Sequence, residues 1–533
     1  MKLTKWADHL LCTSLFAVMT LHASISSGAT AKINLRLPLP TDHLINPQIY
    51  GLGTYMGEEH TASNTWSLRP AYFRFGGNMA EVFNWRIDAW NTGSDWYFTN
   101  FRAKTKGLVD RFLDDNNLHG VPSAVVVPSM GWVAKDGISG SFPESVYGKQ
   151  TASSNGFGNG ISAKTKDKLR ADPNRALTPI DSQWISDWVS HLKGRFGNMR
   201  HSYIIGNEPM LWHETHRDAH PDPATYDEVL KKFIKTAAAV RQADPAAFII
   251  GPALWGYLPM QQSAFDERGP WNQFRKFTDR EQHGNKPFLQ WFVESVVKEE
   301  QYRGTRLLDA IDVHFYPSNE TIRTKPAHLP EVRGLRIRSV KGLWDKNYID
   351  ESWIADKIYL IPRLREIASS CRSDLKITIG EYNFGAEDDI SGAIAQAEAL
   401  GVFAREKLWS ANFWTIPKEH SPTAESFKIY RNYDGSGASF ASTFLADASP
   451  SNDEFSVFSA YDADRSIFTI AVINKSLGGS LEIDVTPPHG KSVKSRRLFE
   501  LSEATGGKII ERKNTEPRLI LPPLSVHMME IRI

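Results

Sequence analysis

The chain has 533 residues, too many for one compact core, so a large domain with a smaller companion is expected. Apolar residues at 41% and charged residues at 23% describe an ordinary globular protein, and a formal charge of +1 gives no reason to expect nucleic acid or an anionic membrane as a partner. The unusual component is tryptophan, 16 of them, as many as the tyrosines; indole faces pack well in cores and stack equally well on pyranose rings.

The chain begins like an export signal. Lys2 and Lys5 precede an apolar run from about Leu10 to Leu21, and Ala29-Thr30-Ala31 offers a small-x-small cleavage site. The run is too short to span a bilayer, so residues 1–31 are predicted to be removed and the product secreted, extracellular or periplasmic, with no membrane span. Removal takes Cys12 with it. The mature chain then keeps Cys371 alone and forms no internal disulfide. Cys371 has no nucleophile's context and is expected to be a small side chain near a helix end.

Residues 32–44 contain the alternating segment Ile33–Leu39, a strand expected to join a later sheet. From 45 to 425, short apolar runs alternate with longer amphipathic ones. The strand candidates are Ile49–Thr54, Tyr72–Gly76, Ala124–Pro128, Tyr203–Ile205, Phe248–Pro252, Ile311–Tyr316, Ile377–Gly380 and Ala411–Trp414. Helices are predicted at Ser182–Arg195, Ala224–Arg241, Leu289–Glu300 and Ile394–Lys407, the second opened by Asp222 as N-cap and Pro223. This is the pattern of an α/β fold, a (β/α)₈ barrel. The span exceeds the roughly 250 residues such a barrel needs, so insertions are expected in its loops, at Ser153–Ser162 and Arg333–Trp353. Residues 426–533 change pattern near Phe427 to short alternating runs (Phe455–Tyr461, Ser466–Ile473, Leu481–Val485, Leu519–Leu521, Met528–Ile533), which read as a smaller all-β sandwich.

Two of the predicted barrel strands end in glutamate: Glu208 in IIGNEPMLW and Glu381 in LKITIGEYNF. Carboxyl ends of barrel strands converge on one face. The fourth and seventh strands stand on roughly opposite sides, so these carboxylates are expected to face each other across a cleft, as glycosidic cleavage requires. Alone, either glutamate is more simply a loop salt-bridge partner; the pair is harder to explain that way. Other strand ends add polar and aromatic groups. Asn207 precedes Glu208 with an amide suited to a sugar hydroxyl, His314 and Tyr316 end the sixth strand, and Arg74 and Asn78 follow the second. Trp414 closes the eighth. Trp85, Trp212, Trp344, Trp353 and Trp414 are the candidate stacking platforms, some of them expected to pack internally instead.

In order and spacing, RFGGNMAEVFNW with NTGSDWYFTN, GNEPMLWHETHRDAHP, LWDKNYIDESW, GEYNFGAEDDISGAIAQAEALGVFARE with ANFW, and FKIYRNYDGSG resemble glycoside hydrolase family 44 across nearly the whole mature chain. The resemblance implies a retaining endo-β-1,4-glucanase, often active on xyloglucan as well as soluble cellulose derivatives, built as a barrel joined to a β-sandwich. By motif, Glu208 matches the family's acid/base and Glu381 its nucleophile. The chain departs from the family pattern at Phe75, where tryptophan is usual, and at Gly206, where aspartate is frequent. If the roles carry over, Glu381 must be ionised, held by a cation such as Arg74, and Glu208 must start protonated. The two carboxyl groups should then lie about 5–5.5 Å apart rather than about 6.5–9.5 Å.

The chemistry asks for no cofactor. A structural calcium is an option the resemblance leaves open, with no loop spelling out its ligands, and the metal content is not legible. His213, Glu214 and His216 lack the spacing of a zinc protease, although with His220 a metal cluster is conceivable. The basic run Arg333, Arg336, Arg338 and Lys341 reads as a solvated loop. The expected partner is a β-glucan polysaccharide, acted on by a monomer. The alternatives are a barrel glycosidase for mannan or xylan and a non-catalytic glucan-binding protein, though the latter normally lacks a carboxylate.

Overall fold

The computed structural model describes residues 31–38, 43–56, 63–197, 201–266, 278–513 and 516–533. The predicted export signal lies outside them except for Ala31. Eight parallel strands close into a barrel in chain order: Gly51–Thr54, Tyr72–Phe75, Ser123–Val127, Ser202–Ile205, Phe248–Leu254, Ala310–Val313, Lys376–Tyr382 and Ser410–Phe413. The last pairs with the first, Asn412 opposite Gly51. Each coincides with a predicted strand. Their near-continuous apolar runs are buried by side chains filling the barrel on one side and by helices on the other.

The surrounding helices bury one stripe each, with the exception of Ile390–Arg405. In Ser182–Phe196 the buried positions Trp184, Ile185, Trp188, Val189, Leu192 and Phe196 recur at three- and four-residue spacing, and the Asp181 carboxylate accepts from Trp184 N. The helix Tyr226–Ala243 is capped by Thr225, whose hydroxyl accepts from Glu228 N; Asp222 lies outside it and pairs with Arg170. The expected N-cap at Asp222 is thus displaced by three residues. Asp389 caps Ile390–Arg405, which is buried on every side as far as Ala404. Its apolar girth follows from its position between the barrel and the second domain.

Two insertions enlarge the barrel loops, residues 128–181 after the third strand and 314–359 after the sixth. The second contains the helix Pro330–Ser339, not the expected solvated loop. Arg336 is buried and donates to Phe384 O and Ser391 Oγ, and Arg333 pairs with Asp389 and Glu503. The charges on one face of this helix are consumed in anchoring it. Cys371 ends the helix Leu360–Cys371, half-buried, as expected.

The predicted change of pattern near Phe427 falls within the helix Pro422–Arg431, and antiparallel pairing begins at Thr443. A six-stranded sheet runs in the order Thr443–Phe444, Phe455–Asp462, Ile467–Asn474, Ser525–Arg532, Ser495–Ser502, Ile510–Arg512. A three-stranded sheet faces it, with Ala31–Arg36 parallel to Leu481–Thr486 and Arg518–Leu521 antiparallel to that strand. Ser495–Ser502 escaped the sequence reading because both of its faces are covered. Leu498 faces the sandwich core, while Phe499 and Leu501 pack against the barrel side, so no alternation is visible. The domains meet at Gly401, where a Cβ would lie 2.2 Å from the Phe458 ring, and at the buried Lys475–Glu398 ion pair, 2.9 Å. Among the described residues no helix is long and apolar enough to cross a membrane.

Candidate active site

Glu208 follows the fourth strand on a tight turn. Gly206 has φ 72°, and a Cβ there would lie 2.3 Å from Ser129 Oγ, so the turn favours glycine on both counts. Glu208 itself is left-handed at φ 46°, ψ 56°, a conformation that costs a non-glycine residue about 1–3 kcal/mol and persists only where its surroundings impose it. Those surroundings are Ala253 O, accepting from Glu208 N at 3.0 Å, and Leu211 N, donating to Glu208 O at 2.8 Å.

Glu381 lies within the seventh strand. Arg74 Nη1 donates to its Oε1 and the Tyr316 hydroxyl donates to its Oε2 at 2.8 Å. His314 Nδ1 stands 2.8 Å from Glu208 Oε1 and 3.5 Å from Glu381 Oε2, so it touches both carboxylates. One oxygen of Glu208 and one of Glu381 lie within 4.8 Å of each other. All five groups come from strand ends on the same face, as the barrel topology dictates.

The electrostatics separate the two acids. Burial pushes the Glu208 carboxyl up and the charge of Glu381 adds to this; His314 and Arg74 oppose it without cancelling it. Burial pushes Glu381 the same way, but the charges of His314 and Arg74 and the hydrogen bonds from Arg74 and Tyr316 win, and it lies below the usual carboxylate range. His314 is raised: burial opposes its charge, and Glu381 and Glu208 outweigh burial. The site therefore holds one carboxyl poised to keep its proton and one poised to lose it.

The other predicted residues divide. Asn207 is buried and its Oδ1 accepts from Arg74 Nη2 at 2.8 Å, while Nδ2 donates to Asn78 Oδ1 at 3.2 Å; its amide faces protein groups rather than standing free for a sugar hydroxyl. Trp414 lies over Arg74, ring centroid 5.6 Å from the guanidinium carbon, and Gly77 gives it room. Trp353 is 47% exposed in the long loop after the sixth strand, as a platform must be. Trp212 is buried against Val82 and Met130 with Nε1 donating to Asn207 O, so it is a structural residue. Trp85 stacks on His191 of the helix Ser182–Phe196, and Trp344 packs under Arg405, at the helix end remote from the carboxylates. Each of these three indoles is held by its own neighbours, the internal packing expected of some of the five.

Two of the histidines after Glu208 are engaged by protein groups. His216 Nε2 contacts Asn78 O at 3.0 Å, with burial holding the ring down at about 4, and His220 pairs with Glu228. Among the described residues the one set of three acidic or histidine groups that converges is Glu208, His314 and Glu381. A calcium ion takes about 6–8 oxygen ligands, and this set, with a histidine in it and the Arg74 cation on Glu381, does not suit one.

The sequence reading passed over three carboxylates. Glu81, fully buried, accepts from the backbone N–H of Ser129, Met130 and Asn207 at 2.7, 2.6 and 2.7 Å, tying together the loops after the second, third and fourth strands. Asp95 is exposed at its surface, yet the protein around it and the charges of Glu208 and Glu381 push it up to about 6, against a hydrogen bond from Asn78. Beside it Trp96 is 37% exposed, a platform the sequence reading did not single out. Asp312 lies in the barrel interior, with Oδ1 accepting from Thr378 Oγ1 and Gly380 N. Glu81 and Asp312 had a visible signal, a charge inside an otherwise apolar run.

Comparison with known proteins places the chain among polysaccharide hydrolases. The sequence profile of glycoside hydrolase family 44 matches residues 89–319. Endoglucanase A of Paenibacillus lautus is 29% identical over 98% of this chain and 75% of its own, whereas the match to the beta-mannanase/endoglucanase A of Caldicellulosiruptor saccharolyticus covers 84% of this chain and 35% of that protein at 26% identity. The crystal structure of CelM2, a bifunctional glucanase-xylanase from a metagenome library, superposes with a TM-score of 0.85 at 32% identity, covering 94% of this chain and 99% of that one. A Paenibacillus polymyxa xyloglucanase of family 44, solved with xyloglucan, shares the fold at a TM-score of 0.77 and 24% identity over 95% of this chain and the whole of its own. These matches, together with the barrel and the sandwich they share, show that the chain is a glycoside hydrolase and belongs to family 44.

Proposed function

We propose that the protein is a secreted, retaining endo-β-1,4-glucanase, acting as a monomer on cellulose-type glucans and xyloglucan, with Glu381 as nucleophile and Glu208 as acid/base. The observation that carries this reading is the close approach of two carboxylates in opposite protonation environments, one oxygen of each within 4.8 Å of the other. An inverting enzyme needs about 6.5–9.5 Å between the carboxyl groups to seat a water and a retaining one about 5–5.5 Å, and the close approach of this pair supports the shorter spacing. In the first step a Glu381 oxygen bonds to the anomeric carbon while the glycosidic bond breaks, its electron pair passing to the leaving oxygen, which takes the Glu208 proton. In the second, Glu208 removes a proton from water, whose oxygen displaces Glu381. Both groups come from one chain, so a monomer suffices. Secretion rests on Lys2, Lys5, the apolar run and Ala29-Thr30-Ala31.

Proton NMR of the first product from a soluble β-glucan tests retention: the β-anomer is expected first, and an initial α-anomer overturns it. Glu381→Gln and Glu208→Gln should each abolish hydrolysis of polymer, and undiminished activity in either removes that residue from its role. A panel including mannan and xylan decides between glucan and the other polysaccharides in its relatives' names.

A further inference from the structure

We propose that Asp312 holds His314 as a permanent imidazolium, making it the fixed cation shared by Glu208 and Glu381 and keeping the buried set electrically neutral through both halves of the reaction. Asp312 is then a positioning residue acting through His314; the inference rests on the two-glutamate reading above.

The geometry requires a particular ring. Nδ1 faces Glu208 Oε1 at 2.8 Å and Glu381 Oε2 at 3.5 Å; with the Glu208 proton on Oε2 both oxygens are acceptors, so Nδ1 carries a proton. On the other side of the ring, Nε2 lies 3.9 Å from Asp312 Oδ2. Both of those atoms are fully buried and without a hydrogen-bond partner. A neutral ring with its proton on Nδ1 would set a bare nitrogen lone pair against a carboxylate oxygen in a dry interior, an arrangement that costs free energy from both groups. A proton on Nε2 turns the same contact into an attraction. Asp312 cannot turn away from it, because Oδ1 is held by Thr378 Oγ1 at 2.7 Å and Gly380 N at 2.6 Å. Gly380 leaves the space for Oδ2, since a Cβ there would lie 2.3 Å from it.

The charges around the ring then balance. The groups facing His314 are Glu208, Glu381, Asp312, Arg74 and the Tyr316 hydroxyl; the fifth strand, Phe248–Leu254, brings no charge, and the seventh brings only Glu381 to this side. At rest Glu208 is protonated, so Glu381 and Asp312 are balanced by Arg74 and His314. In the glycosyl-enzyme the charge of Glu381 is consumed in the ester and Glu208 is ionised, so Glu208 and Asp312 are balanced by the same two cations. Charge moves between the glutamates without the pocket acquiring a net charge, which a low-dielectric site would penalise. By accepting from Nδ1–H at Oε1, Glu208 also reserves Oε2 for the proton it delivers.

The test is nitrogen-15 NMR of histidine-labelled protein, with His314 identified by its loss in His314→Gln. Both ring nitrogens are expected to stay protonated from about pH 5 to 8, where an ordinary histidine titrates. In Asp312→Asn the ring should titrate within that window. The kcat on a soluble β-glucan at neutral pH should fall by about tenfold or more, with KM changed less than about twofold. A neutral His314 ring in the unsubstituted protein overturns the proposal, as does a ring in Asp312→Asn that stays doubly protonated. Should that variant not fold, the spectrum of the unsubstituted protein decides. A neutral His314 alongside an inactive Glu381→Gln defeats the proposal and leaves the two-glutamate reading standing; full activity in Glu381→Gln defeats that reading whatever the ring's state.

Discussion

Asn207 and Arg74 couple the two carboxylates mechanically: the residue before Glu208 accepts, through Oδ1, a hydrogen bond of 2.8 Å from the guanidinium that holds Glu381. One planar fork thus sets the position of both acids, and a lysine amine cannot reproduce it. In Arg74→Met, Glu381 keeps only Tyr316 and His314 against its burial. Its pKa should rise, and since Glu381 must be ionised to react, the acid limb of kcat/KM should move to higher pH. The loss in kcat is expected at about 10²-fold or more, the scale of removing one preorganised electrostatic contact. A pH–rate profile with an unmoved acid limb, in a variant whose circular dichroism is native, would reject this assignment.

How far the sequence carried this site depends on what each residue contacts. Strand ends were legible because apolar runs bounded by polar residues have one buried solution in a barrel, so Glu208, Glu381, His314, Tyr316 and Arg74 all arrive on one face. Tryptophan was not. Trp212 and Trp344 read like cleft residues beside functional motifs, yet what an indole faces depends on neighbours distant in sequence, Met130 for one and Arg405 for the other. The basic run 333–341 misled for the same reason, since its partners Asp389, Ser391 and Glu503 lie on remote segments. Asp95 gave no signal in a polar loop; its meaning comes from the loop packing against the turn after Glu208, where Gly93 meets Thr215 O.

Asp95 places a further negative charge near Glu208, on an exposed residue. That charge disfavours ionisation of Glu208 and helps it keep its proton until the leaving group departs. Asp95→Asn should therefore lower the Glu208 pKa and move the alkaline limb of kcat/KM to lower pH, with a smaller shift of the acid limb in the same direction because Asp95 also acts on Glu381. The expected loss is larger on polymer than on aryl glycosides whose leaving groups need no proton. Equal losses on both substrate types, with no movement of the alkaline limb, would mean that Asp95 serves only the loop.

The junction of the two domains yields a stability prediction. Lys475 and Glu398 are almost wholly buried, and among the described residues the one other donor to Glu398 is Ser456 Oγ, at 3.0 Å. Lys475→Met strands a buried carboxylate and should cost about 3–5 kcal/mol, whereas combining it with Glu398→Gln removes the stranded charge and should recover much of that. Thermal unfolding of the two variants checks the ordering, and a double variant no more stable than the single one contradicts it. The kcat of the folded fraction should be unchanged, because the pair lies on the side of the helix Ile390–Arg405 that faces the sandwich.

Glu81 ties catalytic geometry to pH through stability. Burial raises its carboxyl from 4.5 to about 7 despite three backbone donors, so between those values the folded protein retains a proton that the unfolded chain has released. Stability from this group therefore falls as pH rises from about 4.5 to about 7 and is flat above, with a total of about 3 kcal/mol. Glu81→Gln carries no proton to lose and should flatten the fall in thermal midpoint between pH 5 and pH 8. It also turns an amide N–H toward Asn207 N–H, two donors face to face, or else takes the acceptor away from Ser129 and Met130. In the first case the turn carrying Glu208 shifts, and kcat should fall with KM nearly unchanged, because the displaced group is the proton donor. A variant with the parent's pH slope in stability would show that Glu81 is ionised in the fold throughout, its three backbone donors outweighing burial.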